Sequence, residues 1–213
     1  MGNSMFIDLT KCTGCRACQL ACQKRAGLPK AEADTGKHQN PVDLSDKTVK
    51  LVRFSEVRPG GDPRWLFFPE QCRHCHGAPC KRAADRKDKK AVLENEASGA
   101  VLFTDRLEKR PTGLVREACP YDIPRGHANG MGAVKCDFCF ELISRGLIPA
   151  CVQACRYEAM YYGEEDAMLE LAEKRLCEVR GKNPGAYLGD PGNVRVLYLY
   201  FMDHRLFYQD AVD

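Results

Sequence analysis

The chain has 213 residues, 44% of them hydrophobic and 29% charged, enough for one ordinary domain or two small ones. A formal charge of +3, spread over 32 basic and 29 acidic residues, excludes a nucleic-acid binder or a protein held to an anionic membrane surface. Thirteen cysteines are too many for an ordinary reduced core, and their odd number argues for thiolate ligands plus one spare rather than a disulfide scaffold.

The start, MGNSMFIDLTKC, lacks the basic residues and apolar run of a signal peptide, and no apolar stretch reaches spanning length. The expectation is a soluble chain with no membrane span and no address of its own. Phe6 to Leu9 predicts a short strand leading into KCTGCRACQLACQ, where Cys12, Cys15, Cys18 and Cys22 fall in the spacing C-x2-C-x2-C-x3-C. Three thiolates on one tight loop reach three corners of an iron–sulfur cube, while the fourth points away and ligates a different cluster. The run therefore predicts a second cluster. Its ligands arrive downstream as Cys136, Cys139, Cys151 and Cys155, in KCDFC and PACVQAC. This crossed exchange is the bacterial two-cluster ferredoxin pattern. A zinc ribbon instead uses separated C-x2-C pairs, and four thiols this close do not sensibly enclose one tetrahedral ion.

Gln19 to Arg25 reads as a brief helix and Ala26 to Asp46 as polar surface loop. Thr48 to Val57 and Trp65 to Phe68, joined through RPGGDP, predict a hairpin that ends at Cys72, Cys75 and Cys80. A second hairpin, Ala91 to Glu94 with Gly99 to Phe103, follows the basic run from Lys81 to Lys90, which reads as a solvated face before a docking patch. Cys119 precedes Pro120, a residue that ends ligand loops because it cannot continue a helix. Beyond Cys155 come a strand, Ala159 to Tyr162, and an amphipathic helix from about Glu165 to Arg180 with Leu169, Ala172, Leu176 and Val179 as its stripe. Cys177 on this helix is the spare, expected to be a half-buried thiol. Val194 to Met202, VRVLYLYFM, predicts a strand that adds an edge to the core or docks a partner.

Internal repeats sharpen the count. Extending the first quartet's spacing past Cys80 lands on Ala84, and counting back from Cys119 lands on Val115, Thr112 and Lys109. The chain reads as four quartets with four vacant positions. If the middle pair exchanges corners as the outer pair does, Cys72, Cys75, Cys80 and Cys119 build one whole cluster, and the vacancies are the corners of an absent one. The expectation is three [4Fe–4S] clusters: Cys12, Cys15, Cys18 with Cys155; Cys22 with Cys136, Cys139, Cys151; and Cys72, Cys75, Cys80 with Cys119. The corresponding fold is α+β. One ferredoxin-like half, residues 1–66 and 133–165, carries two clusters; a second, 67–132, is inserted in it and carries one; residues 166–213 form a C-terminal helix and strand.

Four quartets in this order, with CRHCHGAPC, ACPYDIPR and KCDFC-x11-CVQAC, resemble the iron–sulfur beta subunits of molybdopterin or tungstopterin oxidoreductases. DTGKHQNP from Asp34 to Pro41 and WLFFPEQCRHC from Trp65 to Cys75 are similar to segments of the small beta subunits of formate dehydrogenases from sulfate-reducing anaerobes. The sequence departs from that family at Arg156, where a Pro is usual, and at Arg25, where a Trp is usual.

The resemblance implies a non-catalytic electron-transfer subunit with a large pterin-bearing catalytic partner and a soluble cytochrome c-type acceptor. It further implies export to the periplasm, already folded, on the partner's signal, the alternative being a cytoplasmic complex. The Cys12 cluster would face the catalytic subunit and the Cys72 cluster would lie furthest out. Another pterin oxidoreductase or a hydrogenase would use the same module, and a zinc-held structural module is the reading from a different class. Gly14 and Gly77 would let amides crowd the sulfides. Lys11, Arg16 and Lys135 stand beside ligands as candidates for raising potentials or as solvated side chains, and His74 and His76 are expected to neighbour the clusters rather than ligate them. No nucleophile–base pair, phosphate loop or nucleotide fingerprint accompanies them.

Overall fold

A computed structural model describes residues 2–29 and 38–211. In chain order the elements are β1 (Asn3–Asp8), α1 (Ala17–Arg25), β2 (Leu51–Val57), β3 (Arg64–Glu70), α2 (Pro79–Asp85), β4 (Val92–Asn95), β5 (Ala100–Phe103), α3 (Gly113–Arg116), α4 (Phe140–Ile143), α5 (Ala150–Gln153), β6 (Met160–Glu164), α6 (Glu165–Arg180), β7 (Tyr187–Gly189), β8 (Val196–Tyr200) and α7 (His204–Phe207). The mixed α/β chain forms one four-stranded sheet in the order β6-β1-β8-β7 and two hairpins, β2–β3 and β4–β5.

Strand periodicity assigns the two faces of the sheet. Met5 and Ile7 of β1, with Val196, Tyr198 and Tyr200 of β8, enter one apolar cluster together with Val52, Leu66 and Phe68 of the β2–β3 hairpin. Phe6, Leu197 and Leu199 point the other way, into a cluster with Ala172 and Val179 of α6. Both faces being covered, all five residues of β8 are buried, which explains why VRVLYLYFM shows no polar alternation. The expected edge strand is therefore central: β8 lies between β1, which it parallels, and β7, which it opposes.

The hairpin is fastened to the sheet by polar contacts as well. Tyr198 Oη donates to the Pro69 carbonyl at 2.8 Å. Along β2 two backbone donors find side-chain acceptors in place of another strand: Gln19 Oε1 accepts from Val52 N–H at 3.0 Å and Gln39 Oε1 from Phe54 N–H at 3.1 Å. Gln19 also donates to the Asn40 carbonyl at 2.9 Å, so HQN of the DTGKHQNP segment ties α1 to the hairpin. The segment's first residues lie outside the described ones.

The predicted stripe of α6 is half right in depth: Ala172 and Val179 are buried, while Leu169 and Leu176 are partly so. The helix starts where β6 ends, and Arg175 Nε donates to the wholly buried Asp8 carboxylate at 2.7 Å, pinning the helix to the end of β1. The strand β7 and the short helices within the ligand loops have too little periodicity to be seen in sequence. Among the described residues no helix is long and apolar enough to cross a membrane.

Gly99, in the β4–β5 turn, has φ of 74°, and a Cβ there would stand 2.4 Å from the Asn3 carbonyl oxygen. Gly99→Ala should therefore destabilise the chain by about 1–3 kcal/mol, read as a lower midpoint of thermal unfolding, because the added carbon meets backbone that cannot rotate away.

Candidate metal centres

Three ligand loops turn in the same way two residues after their first cysteine. Gly14, His74 and Phe138 have φ of 68°, 49° and 61°. Their amides face the thiols they follow: Gly14 N–H bonds to Cys12, and His74 and Phe138 N–H donate to Cys72 and Cys136 at 3.4 Å each. An amide aimed at sulfur favours its thiolate form. At Gly14 a side chain is excluded, since a Cβ would fall 2.5 Å from Phe67 Cδ1. The other two loops use His74 and Phe138, whose rings stack on each other with centroids 4.4 Å apart and so lock the Cys72 and Cys136 loops together. Sequence reasoning placed His74 beside the clusters but, looking for glycine, missed its turn and missed Phe138 altogether.

The thiols fall into groups by the charges that bear on them. Cys12 feels Cys15 and Cys155, and burial pushes Cys18 up to about 12 with Cys151, Cys12 and Cys15 adding repulsion. Burial likewise pushes Cys22 up to about 12, with Cys151 and Cys139 its thiol neighbours, and lifts Cys136 well above its usual range beside Cys22 and Cys151. Cys75 is raised by burial and by Cys72, Cys119 and Cys80, and Cys80 reaches about 12 with Cys72 and Cys119 beside it. These last four line one hollow with Ala78, Val101 and Ile123. Charge coupling links the groups, Cys18 to Cys151 and Cys136 to Cys72.

Chemically, such sets fit an iron–sulfur cluster. Thiolates crowded and buried repel one another unless positive metal lies among them. Among the described residues no three His, Cys, Asp or Glu side chains are gathered as for a single ion.

The basic residues flagged by sequence separate into two kinds. Lys11 Nζ donates to Tyr161 Oη at 2.6 Å and Arg16 lies over the Phe54 ring at 5.6 Å, so both are held by aromatics. Lys135 instead turns its ammonium inward and lines the Cys72 hollow. Lys50, only 2% exposed, was missed, because a lysine between Val49 and Leu51 reads as the solvent side of a strand. His74 is wholly buried and neutral: burial first, then Lys135 and Arg195, hold it well below its usual range, and its Nδ1 accepts from Val101 N–H at 3.0 Å. His76 Nε2 pairs with Glu165 at 2.7 Å.

Arg25, one of the departures, makes a two-pronged ion pair with Asp137, inside the Cys136–Cys139 loop, one prong at 2.8 Å. Arg156 is exposed, and after it Ala159 N–H donates to Cys155 Sγ at 3.3 Å. Of the vacant positions, Ala84 and Val115 are buried in one apolar cluster, Thr112 Oγ1 donates to the Gly132 carbonyl at 2.7 Å and Lys109 is exposed. Within the Lys81–Lys90 run Lys81 is paired with Asp85 at 2.8 Å, whereas Asp88 is taken up by Arg106 from outside the run at 2.8 Å.

Comparison with known proteins agrees with this chemistry. A 4Fe-4S dicluster domain model matches residues 63–165. The formate dehydrogenase subunit beta of Megalodesulfovibrio gigas is 42% identical over 214 residues, covering all of both chains. This chain belongs to the formate dehydrogenase beta subunits. The formate dehydrogenase 2 subunit beta (cytochrome c-553) of Nitratidesulfovibrio vulgaris is 41% identical over 99% of each chain. The formate dehydrogenase-O iron-sulfur subunit of Escherichia coli is 32% identical over 93% of this chain and 66% of its own length. As a formate dehydrogenase beta subunit the chain carries [4Fe–4S] clusters and is the electron-transfer part of an oxidoreductase whose catalytic alpha subunit is its partner.

Cys177, expected to be half-buried, is exposed on α6. Cys177→Ser should leave iron content and visible absorbance unchanged, and loss of either would show that it is a ligand.

Proposed function

We propose that the chain relays electrons from formate oxidation through three [4Fe–4S] clusters: the first on Cys12, Cys15, Cys18 and Cys155, the second on Cys22, Cys136, Cys139 and Cys151, and the third on Cys72, Cys75, Cys80 and Cys119. The observation that carries this reading is the gathering of Cys72, Cys75, Cys80 and Cys119 around one hollow, and the charge coupling of Cys18 to Cys151 and of Cys136 to Cys72 favours a row with the Cys22 set in the middle. When bound, each cluster supplies one-electron donor and acceptor chemistry. The residues around it hold successive sites close together, keep water out and supply fixed charge. The ferredoxin-like halves, 1–66 with 133–165 and the inserted 67–132, follow from the same row. Pairing of β1 with β6, on either side of the insertion, supports this division, and residues 166–213 would then be an extension that shares the sheet of the first half.

The large pterin subunit docks at the Cys12 end in this scheme, and the Cys72 set delivers electrons to a soluble cytochrome c. The name of the Nitratidesulfovibrio vulgaris relative, which includes cytochrome c-553, supports that acceptor and with it a periplasmic complex in an anaerobic cell, exported with the catalytic partner.

Iron analysis of the purified chain should give about twelve per polypeptide, and a value near eight or sixteen would sink the assignment. In the intact complex, Cys80→Ala should leave formate able to reduce the two inner clusters while reduction of the cytochrome collapses. Wild-type rates to the cytochrome would mean that electrons leave elsewhere.

A further inference from the structure

Two lysines bring positive charge inside the molecule next to thiols rather than carboxylates among the described residues. Lys50 is almost wholly enclosed and donates to Gln71 Oε1, whose own Nε2 lies 3.5 Å from Met5 Sδ. The thiols that favour its charge are Cys151, Cys18 and Cys136. Lys135 is exposed along part of its length, but its ammonium is enclosed, donating to the carbonyls of Val101 and Cys136 and lying 4.8 Å from the Phe103 ring centre. Its anionic neighbours are Cys72, Cys80 and Cys136. An ammonium taken out of water needs an opposing charge close by, or it gives up its proton. Here, among the described residues, the thiols of the proposed ligand sets are groups that favour its charge.

The positions differ in a telling way. Lys50 touches the fields of Cys18, from the first proposed set, and of Cys151 and Cys136, from the second. Lys135 touches Cys136, from the second, and Cys72 and Cys80, from the third. Arg73, another buried cation, has other company: its guanidinium donates to the Gln71 and Ala211 carbonyls at 2.7 and 2.9 Å, lies over Tyr198 and Tyr121, and feels Glu70. It bridges no two sets.

We propose that Lys50 and Lys135 are redox-tuning residues, one in each gap between successive clusters, whose fixed charges raise the potentials of the clusters on both sides and hold the transferred electron inside the row. The inference rests on the three-cluster reading above. An electron leaving one cluster oxidises it and reduces the next, and a permanent cation between them stabilises the electron in either place without a proton having to move. The middle cluster, facing both lysines, is raised by both.

The test is a redox titration of the complete complex followed by electron paramagnetic resonance. Lys50→Met should lower the midpoints of the first and second clusters and spare the third. Lys135→Met should lower the second and third and spare the first. Unchanged midpoints, or an equal fall of all three in both variants, in protein with full iron overturn the proposal. Should a Met variant lose iron, the Arg variant decides: retained iron and near wild-type midpoints in Lys50→Arg or Lys135→Arg support a requirement for charge, and loss of iron there too assigns the lysine a packing role only. Wild-type iron content, measured separately, reports on the three-cluster reading alone.

Discussion

Negative charge on sulfur, gathered where water does not reach, is the constraint from which the rest of this protein follows. Thiols that burial pushes up to about 12, as at Cys18, Cys22 and Cys80, ionise only when a positive centre joins them. Metal binding must therefore expel protons and is coupled to formation of the loops themselves. The same need for balance accounts for amides turned toward sulfur at three left-handed positions, and for Arg25 reaching across from α1 to Asp137 next to two of the thiols. Fixed dipoles and cations replace the solvation that the thiolates lose.

Loops with so little regular structure cannot hold such an arrangement alone, and the scaffold is built to hold them. The sheet presents both faces to covering elements and the β2–β3 hairpin packs on one of them, so ligand loops leave from rigid strand ends at Asp8 of β1 and Glu70 of β3. The amides of Arg195 and Val196, at the entrance to β8, both donate to the Arg73 carbonyl, at 3.1 and 3.0 Å, and His76 N–H donates to Asn193 at 3.0 Å. The Cys72–Cys75 loop is thus stitched to the central strand. Its other side is stitched to the Cys136 loop by the His74–Phe138 stack, so a displacement of either loop strains the other.

Much of this was legible in residue order because cysteine spacing encodes geometry directly: three thiols two residues apart cannot all face different ways. The amphipathic stripe gave α6 its bounds, and the turn residues between Val57 and Trp65 gave the first hairpin. What escaped was whatever depends on distant neighbours. β8 reads as an edge because nothing local says that β7, three residues long, lies outside it. Lys50 reads as solvated because its thiol neighbours come from Cys18, Cys136 and Cys151, far away in the chain. His74 and Phe138 carry a glycine's backbone angle without being glycine, held there by a ring contact that has no signature in either local sequence.

The place of β8 has a consequence for how the protein is made. β1 emerges first from the ribosome and its parallel partner among the last strands, so the centre of the sheet stays open through most of synthesis. Contacts between such remote segments form slowly, since a long loop must close before they repay it. Until then the Arg73 carbonyl lacks its two donors and the Cys72–Cys75 loop is not stitched down. Seating of β8 between β1 and β7 both completes the sheet and fastens that loop.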